Sequence, residues 1–169
     1  MKNYRKATIE DLGKLQKLGI LAYSQHKLSM TAENWDKFSA NLYGPELYTE
    51  LIESATCFIC ELEDEVIGMA FLVSKGHPTE LFDETWSYIR MVGVHPNFSG
   101  NGIAKKLTEM CIEFAQEDGE NFVALHTSEF MEAARHIYQG FGFIVVREFS
   151  RYDKKYWIYL LELYSDDID

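Results

Sequence analysis

Gly100 and Gly102 stand one residue apart where a β-rich apolar run, Trp86 to Val94, gives way to a long amphipathic helical pattern from about Gly102 to Gln116. A strand that turns through glycines into a helix start gathers several free backbone N–H groups in one small volume. The positive end of the helix dipole lies there too, so the chemistry on offer is anion binding, with a phosphate-bearing small molecule as the natural ligand. Two glycines alone also occur in an ordinary strand–loop–helix connection. His95-Pro96 adds weight, because proline ends a strand and restricts the residue before it. The helix that follows is apolar at Ile103, Leu107, Met110, Cys111 and Phe114, the stripe of a helix packed on a sheet, which holds its N-terminus in place. Lys105 and Lys106 fall in its first turn, as a solvated face or as a cationic rim for a second phosphate group.

The run Val92-Gly-Val94-His-Pro96-x-x-Ser-Gly100-x-Gly102-Ile-Ala104 resembles the acetyl-CoA-binding motif of the GCN5-related N-acetyltransferases, Arg/Gln-x-x-Gly-x-Gly/Ala, often preceded by Val-x-Pro. Asn97 stands at the Arg/Gln position and Ser99 where a second arginine is common, so the loop has lost positive charge but kept its backbone cradle. Downstream, Ala134-Arg-His-Ile-Tyr138-Gln-Gly-Phe-Gly142-Phe143 is similar to the family's late segment Ala-x-x-Leu-Tyr-x-x-x-Gly-Phe, with Met131 where the family often has Asn. The resemblance covers residues 2 to 163 in outline and is specific over about 86 to 143. It implies the acyl-CoA N-acyltransferase fold, acetyl-CoA as cosubstrate, and transfer of the acetyl group to a primary amine of a small molecule or peptide.

The resemblance also implies roles. Backbone groups of Val92 and Val94 meet the pantetheine arm and the thioester carbonyl, where N–H donors stabilise an oxyanion. Ser99, Gly100, Asn101, Gly102, Ile103 and Ala104 bind the cofactor's pyrophosphate. Gly93 suits the strand bulge that the family carries at this point. Tyr138 matches the general acid that protonates the departing CoA thiolate; by its own sequence context, beside Ala134 and Phe141, it reads equally as a core aromatic. The base stays open between Glu84, His126 and a water chain, since an amine of pKa about 10 must lose a proton before it attacks. The family position often held by glutamate is Tyr88.

These residues need elements to carry them. A short strand, Tyr4 to Ala7, precedes Thr8-x-x-Asp11, a capping-box variant, and a helix with Leu12, Leu15, Leu18 and Ala22 on one face. Met30 to Ala55 is helix-prone but broken at Gly44-Pro45, which predicts two short helices. Cys57 to Leu62 and Val66 to Ser74 form a hairpin around Glu63-Asp64-Glu65, and a polar loop runs to Glu84. Phe122 to Thr127 is a strand, Phe130 to Gln139 a helix, and Phe143 to Phe149 with Tyr156 to Leu163 a closing hairpin. Gly119 is a plausible helix stop. The fold class is therefore mixed α/β (α+β): a single, largely antiparallel twisted sheet flanked by helices, in one domain over residues 1–169.

A chain of 169 residues can bury a substantial core. A formal charge of -11 disfavours nucleic acid and anionic membrane as partners and suits a cationic acceptor, or simply a soluble surface. No apolar run spans a membrane and no signal peptide is evident, so a cytoplasmic protein is expected; a homodimer is carried as a further expectation. Cys57-Phe-Ile-Cys60 lies in a strand-like run, where residues three apart face opposite ways, so neither a redox pair nor a metal site is read from it. A dinucleotide dehydrogenase is disfavoured by the missing third glycine and the lack of regular βαβ units. The rival from outside enzymology is a CoA-binding regulatory module without acetyltransferase activity. Residues 22 to 55 and 74 to 86 shape the acceptor pocket and carry no decodable motif.

Overall fold

A computed structural model describes residues 1–163 of the chain; the last six positions of the expected single domain lie outside the described residues. The elements follow in the order β1 (Asn3–Lys6), α1 (Leu12–Ser24), α2 (Ala32–Ser39), α3 (Glu46–Ser54), β2 (Thr56–Leu62), β3 (Glu65–Val73), β4 (Ser87–Val94), α4 (Ile103–Glu117), β5 (Phe122–Ser128), α5 (Glu132–Gly140), β6 (Ile144–Arg151) and β7 (Lys154–Glu162). The seven strands form one sheet in the order β1-β2-β3-β4-β5-β7-β6. Every pairing is antiparallel except β4 with β5.

Each strand of the middle of the sheet is apolar on both sides because helices cover both faces. On one face α4 lays Ile103, Leu107 and Cys111 against Cys60, Ile67, Ile89 and Leu125. On the other, Leu15, Leu18 and Ala22 of α1 and Tyr48 and Leu51 of α3 meet Cys57, Ile59, Met69 and Phe71. Cys57 and Cys60 thus point to opposite faces, both buried and unbridged. Burial pushes the Cys57 thiol up, which suits an inert core residue rather than a redox pair. No helix among the described residues is long and apolar enough to cross a membrane, and no group of His, Cys, Asp or Glu among them could hold a metal ion.

The parallel pair β4–β5 positions the site. Only Ser87↔Val123 and Tyr88↔Ala124 pair; beyond them the strands diverge, and the β5-facing edge of residues 89–94 has no strand partner. β4 also carries the bulge, since the register moves from Phe71↔Arg90 to Met69↔Gly93. Met91 and Val92 together oppose Ala70, and Met91 takes the positive φ of 54°. The bulge therefore sits at Met91-Val92 and not at Gly93. Gly93 serves space instead: a Cβ there would stand 3.2 Å from Ala22 Cβ and 3.3 Å from Met69 Cε, so its absence lets α1 lie against β4.

Candidate active site

The strand β4 ends in a loop that is pinned at nearly every residue. His95 N–H donates to the Ile67 carbonyl at 2.8 Å, and Asn97 N–H donates to His95 Nδ1 at 3.1 Å. The Ser99 hydroxyl donates to the Pro96 carbonyl at 2.9 Å, and the Asn101 side-chain amide to the Phe98 carbonyl at 3.0 Å. So the side chains of His95, Ser99 and Asn101 hold the loop's own shape, the Asn97 and Ser99 N–H groups are spent within it, and the backbone N–H groups from Gly100 onward are what the loop has to offer.

Gly100 and Gly102 both adopt left-handed backbone, φ 81° and 78°, with open space where a Cβ would sit. Gly102 caps α4 without any side-chain acceptor, and the first helical bond of this segment runs from Lys106 N–H to the Gly102 carbonyl at 3.0 Å. The N–H groups of Ile103, Ala104 and Lys105 consequently have no protein acceptor among the described residues. These are fixed donors at the positive end of a fifteen-residue helix, which can receive an anion. Lys105 and Lys106 are exposed, and Lys106 reaches Glu109 at 3.4 Å.

A residue not singled out from sequence sets where this cradle stands. Gly68 on β3 faces α4, and a Cβ there would lie 2.5 Å from Ile103 Cγ2 and 3.0 Å from Leu107 Cδ1. The missing side chain lets the first turn of α4 settle on the sheet. A lone glycine inside the Val66–Val73 run was the available signal, since glycine in a strand marks a close approach.

Across the β4–β5 opening stands Tyr138, on α5. Its ring is buried between Phe143 (centroids 5.9 Å) and Tyr159 (6.4 Å). The hydroxyl has no protein partner among the described residues, yet it is not one of the fully sealed unpaired polar atoms. Burial, with the Cys111 thiol adding to it, pushes the phenol pKa up, so Tyr138 stays protonated at neutral pH. Tyr23, near the end of α1, comes to the same opening from the opposite face. Its hydroxyl donates to the Val92 carbonyl at 3.2 Å, and burial followed by the neighbouring Tyr138 phenol raises its pKa as well. The Val92 carbonyl is thereby occupied. Tyr23 falls in the 22 to 55 stretch that carries no decodable motif, so the sequence offered no signal for this contact.

The base candidates separate. Glu84 is exposed in the loop before β4, three residues ahead of the strand's first residue, whereas the opening lies beyond Tyr88. The strand rise of about 3.3 Å per residue puts Glu84 at the far end of β4 from Val92. Tyr88 is structural: it stacks on Phe82 at 4.4 Å and donates to the His77 carbonyl at 3.2 Å. His126 lies on the acceptor side of β5 among Phe82, Phe149 and Tyr156. Burial first, then the charges of Arg151 and Arg90, pushes its pKa down to about 4. Met131 precedes the first residue of α5 and accepts from the Thr127 hydroxyl through sulfur at 3.4 Å.

This geometry agrees with the comparisons to known proteins. The family model described as "Acetyltransferase (GNAT) family" matches residues 26–143. N-alpha-acetyltransferase 30 of Saccharomyces cerevisiae is 38% identical over 65 residues, covering 38% of this chain and 37% of its own length. Human N-acetyltransferase 8B is 32% identical over 94 residues, covering 55% of this chain and 40% of its own length. The chain thus spans well under half the length of these curated relatives. Among solved structures, the PaiA N-acetyltransferase of Thermoplasma acidophilum in complex with coenzyme A superposes with a TM-score of 0.77 at 16% identity, covering 96% of this chain and 99% of that one. With the family model spanning most of the chain, and the splayed strands, glycine cradle and late tyrosine in matching order, the chain belongs to the GNAT acetyltransferase family.

Proposed function

We propose that this chain transfers the acetyl group of acetyl-CoA directly to a primary amine. One observation carries the reading: the β4–β5 opening ends at the unpaired N–H groups of Ile103, Ala104 and Lys105, with the unpaired Tyr138 hydroxyl facing it. The cradle fits a pyrophosphate, whose charge takes the place of the missing acceptors. The unpartnered edge of β4 at Val92–Val94 suits the pantetheine arm, an amide-bearing chain that can add hydrogen bonds where β5 has left. Similarity to acetyltransferases in sequence and fold supports the same assignment.

In this reading the amine attacks the thioester carbonyl from the α1–α2 side. The carbon–nitrogen bond forms, the carbon–sulfur bond breaks, and Tyr138 donates a hydrogen bond to the sulfur as negative charge gathers there. With its pKa raised, Tyr138 holds its proton until that charge develops. His126, at about 4, is too weak to strip an ammonium of pKa about 10: the mismatch of roughly six units is about 8 kcal/mol. The attacking amine is therefore the free-base fraction, whose proton has gone to bulk solvent in the equilibrium that precedes attack.

Turnover of acetyl-CoA with a panel of primary amines tests this. Thiol release matched by acetylated product is expected. Tight CoA binding with no product from any amine would leave the regulatory-module reading standing instead.

A further inference from the structure

The β4–β5 opening continues onto the sheet face that α1 and α3 cover, and that face holds polar groups with no role so far. Ala124, His126 and Ser128 alternate onto it from β5, and Tyr156 lies opposite Ser128 on β7. His126 Nδ1 is sealed from solvent and completes no hydrogen bond among the described residues, and the sealed Ser128 and Tyr156 hydroxyls beside it have only each other. A buried imidazole nitrogen is rarely left this way, so with two hydroxyls beside it this face marks a place where a ligand supplies the partner.

Arg90 projects onto the same face, two residues beyond Tyr88, whose register partner is Ala124. It is half-buried and, among the described residues, makes no ion pair, hydrogen bond or ring contact. Its charge still reaches the pocket, holding down the pKa of His126. Arg151 acts on His126 and Tyr156 from the end of β6. The acidic groups nearby are otherwise engaged or distant. Glu80 meets Arg151 at 3.5 Å on the rim, Asp153 accepts from Asn34 at 2.8 Å, and Glu50 acts on Tyr88 without pairing with Arg90. Despite the net charge of -11, the charges that act on His126 are those of two arginines. Arg90 is also misplaced for the pyrophosphate: four strand residues, about 13 Å, separate it from Val94.

We infer that the acceptor carries a carboxylate within a few bonds of its amine, held by Arg90, with the Ser128 and Tyr156 hydroxyls and His126 completing its polar contacts. This rests on the acetyltransferase reading above, and it replaces the cationic acceptor expected from net charge alone. A partly desolvated guanidinium without a partner is costly, and a carboxylate offers it charge-assisted, bidentate bonding. The Asn34–Asp153 bond and the Phe38–Tyr152 ring contact (5.6 Å) tie α2 to the β6–β7 turn over this face, which favours a short acceptor. A free amino acid and the acidic first residue of a peptide share this chemistry.

The test compares kcat/KM for α-amino acids with the amines left when their carboxyl group is removed, and for peptides beginning with Asp against the same peptides beginning with Asn. Wild type should favour the carboxylate-bearing member of one pair by about 10- to 100-fold, the range of a charge-assisted hydrogen bond, and the pair that responds identifies the source. In R90Q that preference should fall below about threefold, mainly through KM, and R90K should restore only part of it because the planar fork is lost. Equal rates within both pairs for wild type, or a preference that survives in R90Q, would overturn the inference while leaving acetyl transfer intact. If R90Q does not fold, the wild-type preference decides alone. No turnover with any amine would strike the acetyltransferase reading and this inference together.

Discussion

Replacing Tyr138 by phenylalanine removes one oxygen from the β4–β5 opening and little else. The ring keeps its contacts with Phe143 and Tyr159, and the lost hydroxyl leaves no protein group unpaired, because it had no protein partner among the described residues. Stability should therefore change by less than about 0.5 kcal/mol. Turnover should not survive so well. A CoA thiol has a pKa near ~8.5, so the thiolate can leave unaided, but it leaves faster when a proton donor stabilises the growing charge. Loss of a general acid costs about 10²- to 10⁴-fold in rate, or about 2.7 to 5.4 kcal/mol of transition-state stabilisation. Burial raises the phenol pKa, so Tyr138 remains protonated across the neutral range, and the wild-type rate should show no alkaline decline from this group below about pH 10. The assay is steady-state thiol release with acetyl-CoA binding measured in parallel. Wild-type turnover in Y138F, on an acceptor for which chemistry is rate-limiting, would refute the acid role and return Tyr138 to the status of a packed aromatic.

Gly100→Val should fold but lose at least about tenfold in CoA affinity by isothermal titration. Valine at φ 81° costs about 1–2 kcal/mol and turns the loop's N–H groups away, so equal affinity in the variant would exclude this loop from the cradle. Gly68→Ala places a Cβ 2.5 Å from Ile103 Cγ2, which should lift the start of α4, cost about 1–3 kcal/mol in denaturant unfolding and raise KM for acetyl-CoA; unchanged stability would contradict the packing argument. His126 sets an acid limit. Its folded pKa of about 4 lies below the ordinary ~6.5, so between those values the unfolded chain binds a proton that the folded chain refuses. Stability should fall by up to about 3 kcal/mol as pH drops through that window and level off beneath it, and H126Q should flatten this slope in pH-dependent unfolding.

The element order was readable because local signals agreed with tertiary demands. The Gly44-Pro45 break does separate two short helices, and the Ile103–Phe114 stripe does pack on the sheet. The glycine turn into α4 was readable for the same reason: two left-handed positions before a helix need glycine, and little else places it there. The bulge lies at Met91-Val92, just before the glycine whose conformational freedom makes it the natural seat. Met91 instead bears the positive φ, held by β3 on one side, while Gly93 makes room for Ala22. The acceptor face was the least legible. Arg90, His126, Ser128, Tyr156 and Tyr23 come from three strands and a helix, and no spacing along the chain announces that they share one face. Net charge misled for a related reason, since a sum over 169 residues carries no information about where two arginines stand.

The central claim is that acetyl-CoA lies along the β4 edge with its pyrophosphate on the start of α4. Amide chemical-shift mapping during titration of the ¹⁵N-labelled protein with CoA tests it most directly. The largest shifts are predicted at Gly100 to Lys105, with a second group at Val92 to Val94. Saturable CoA binding that leaves these amides unmoved, or shifts centred elsewhere on the protein, would contradict the account.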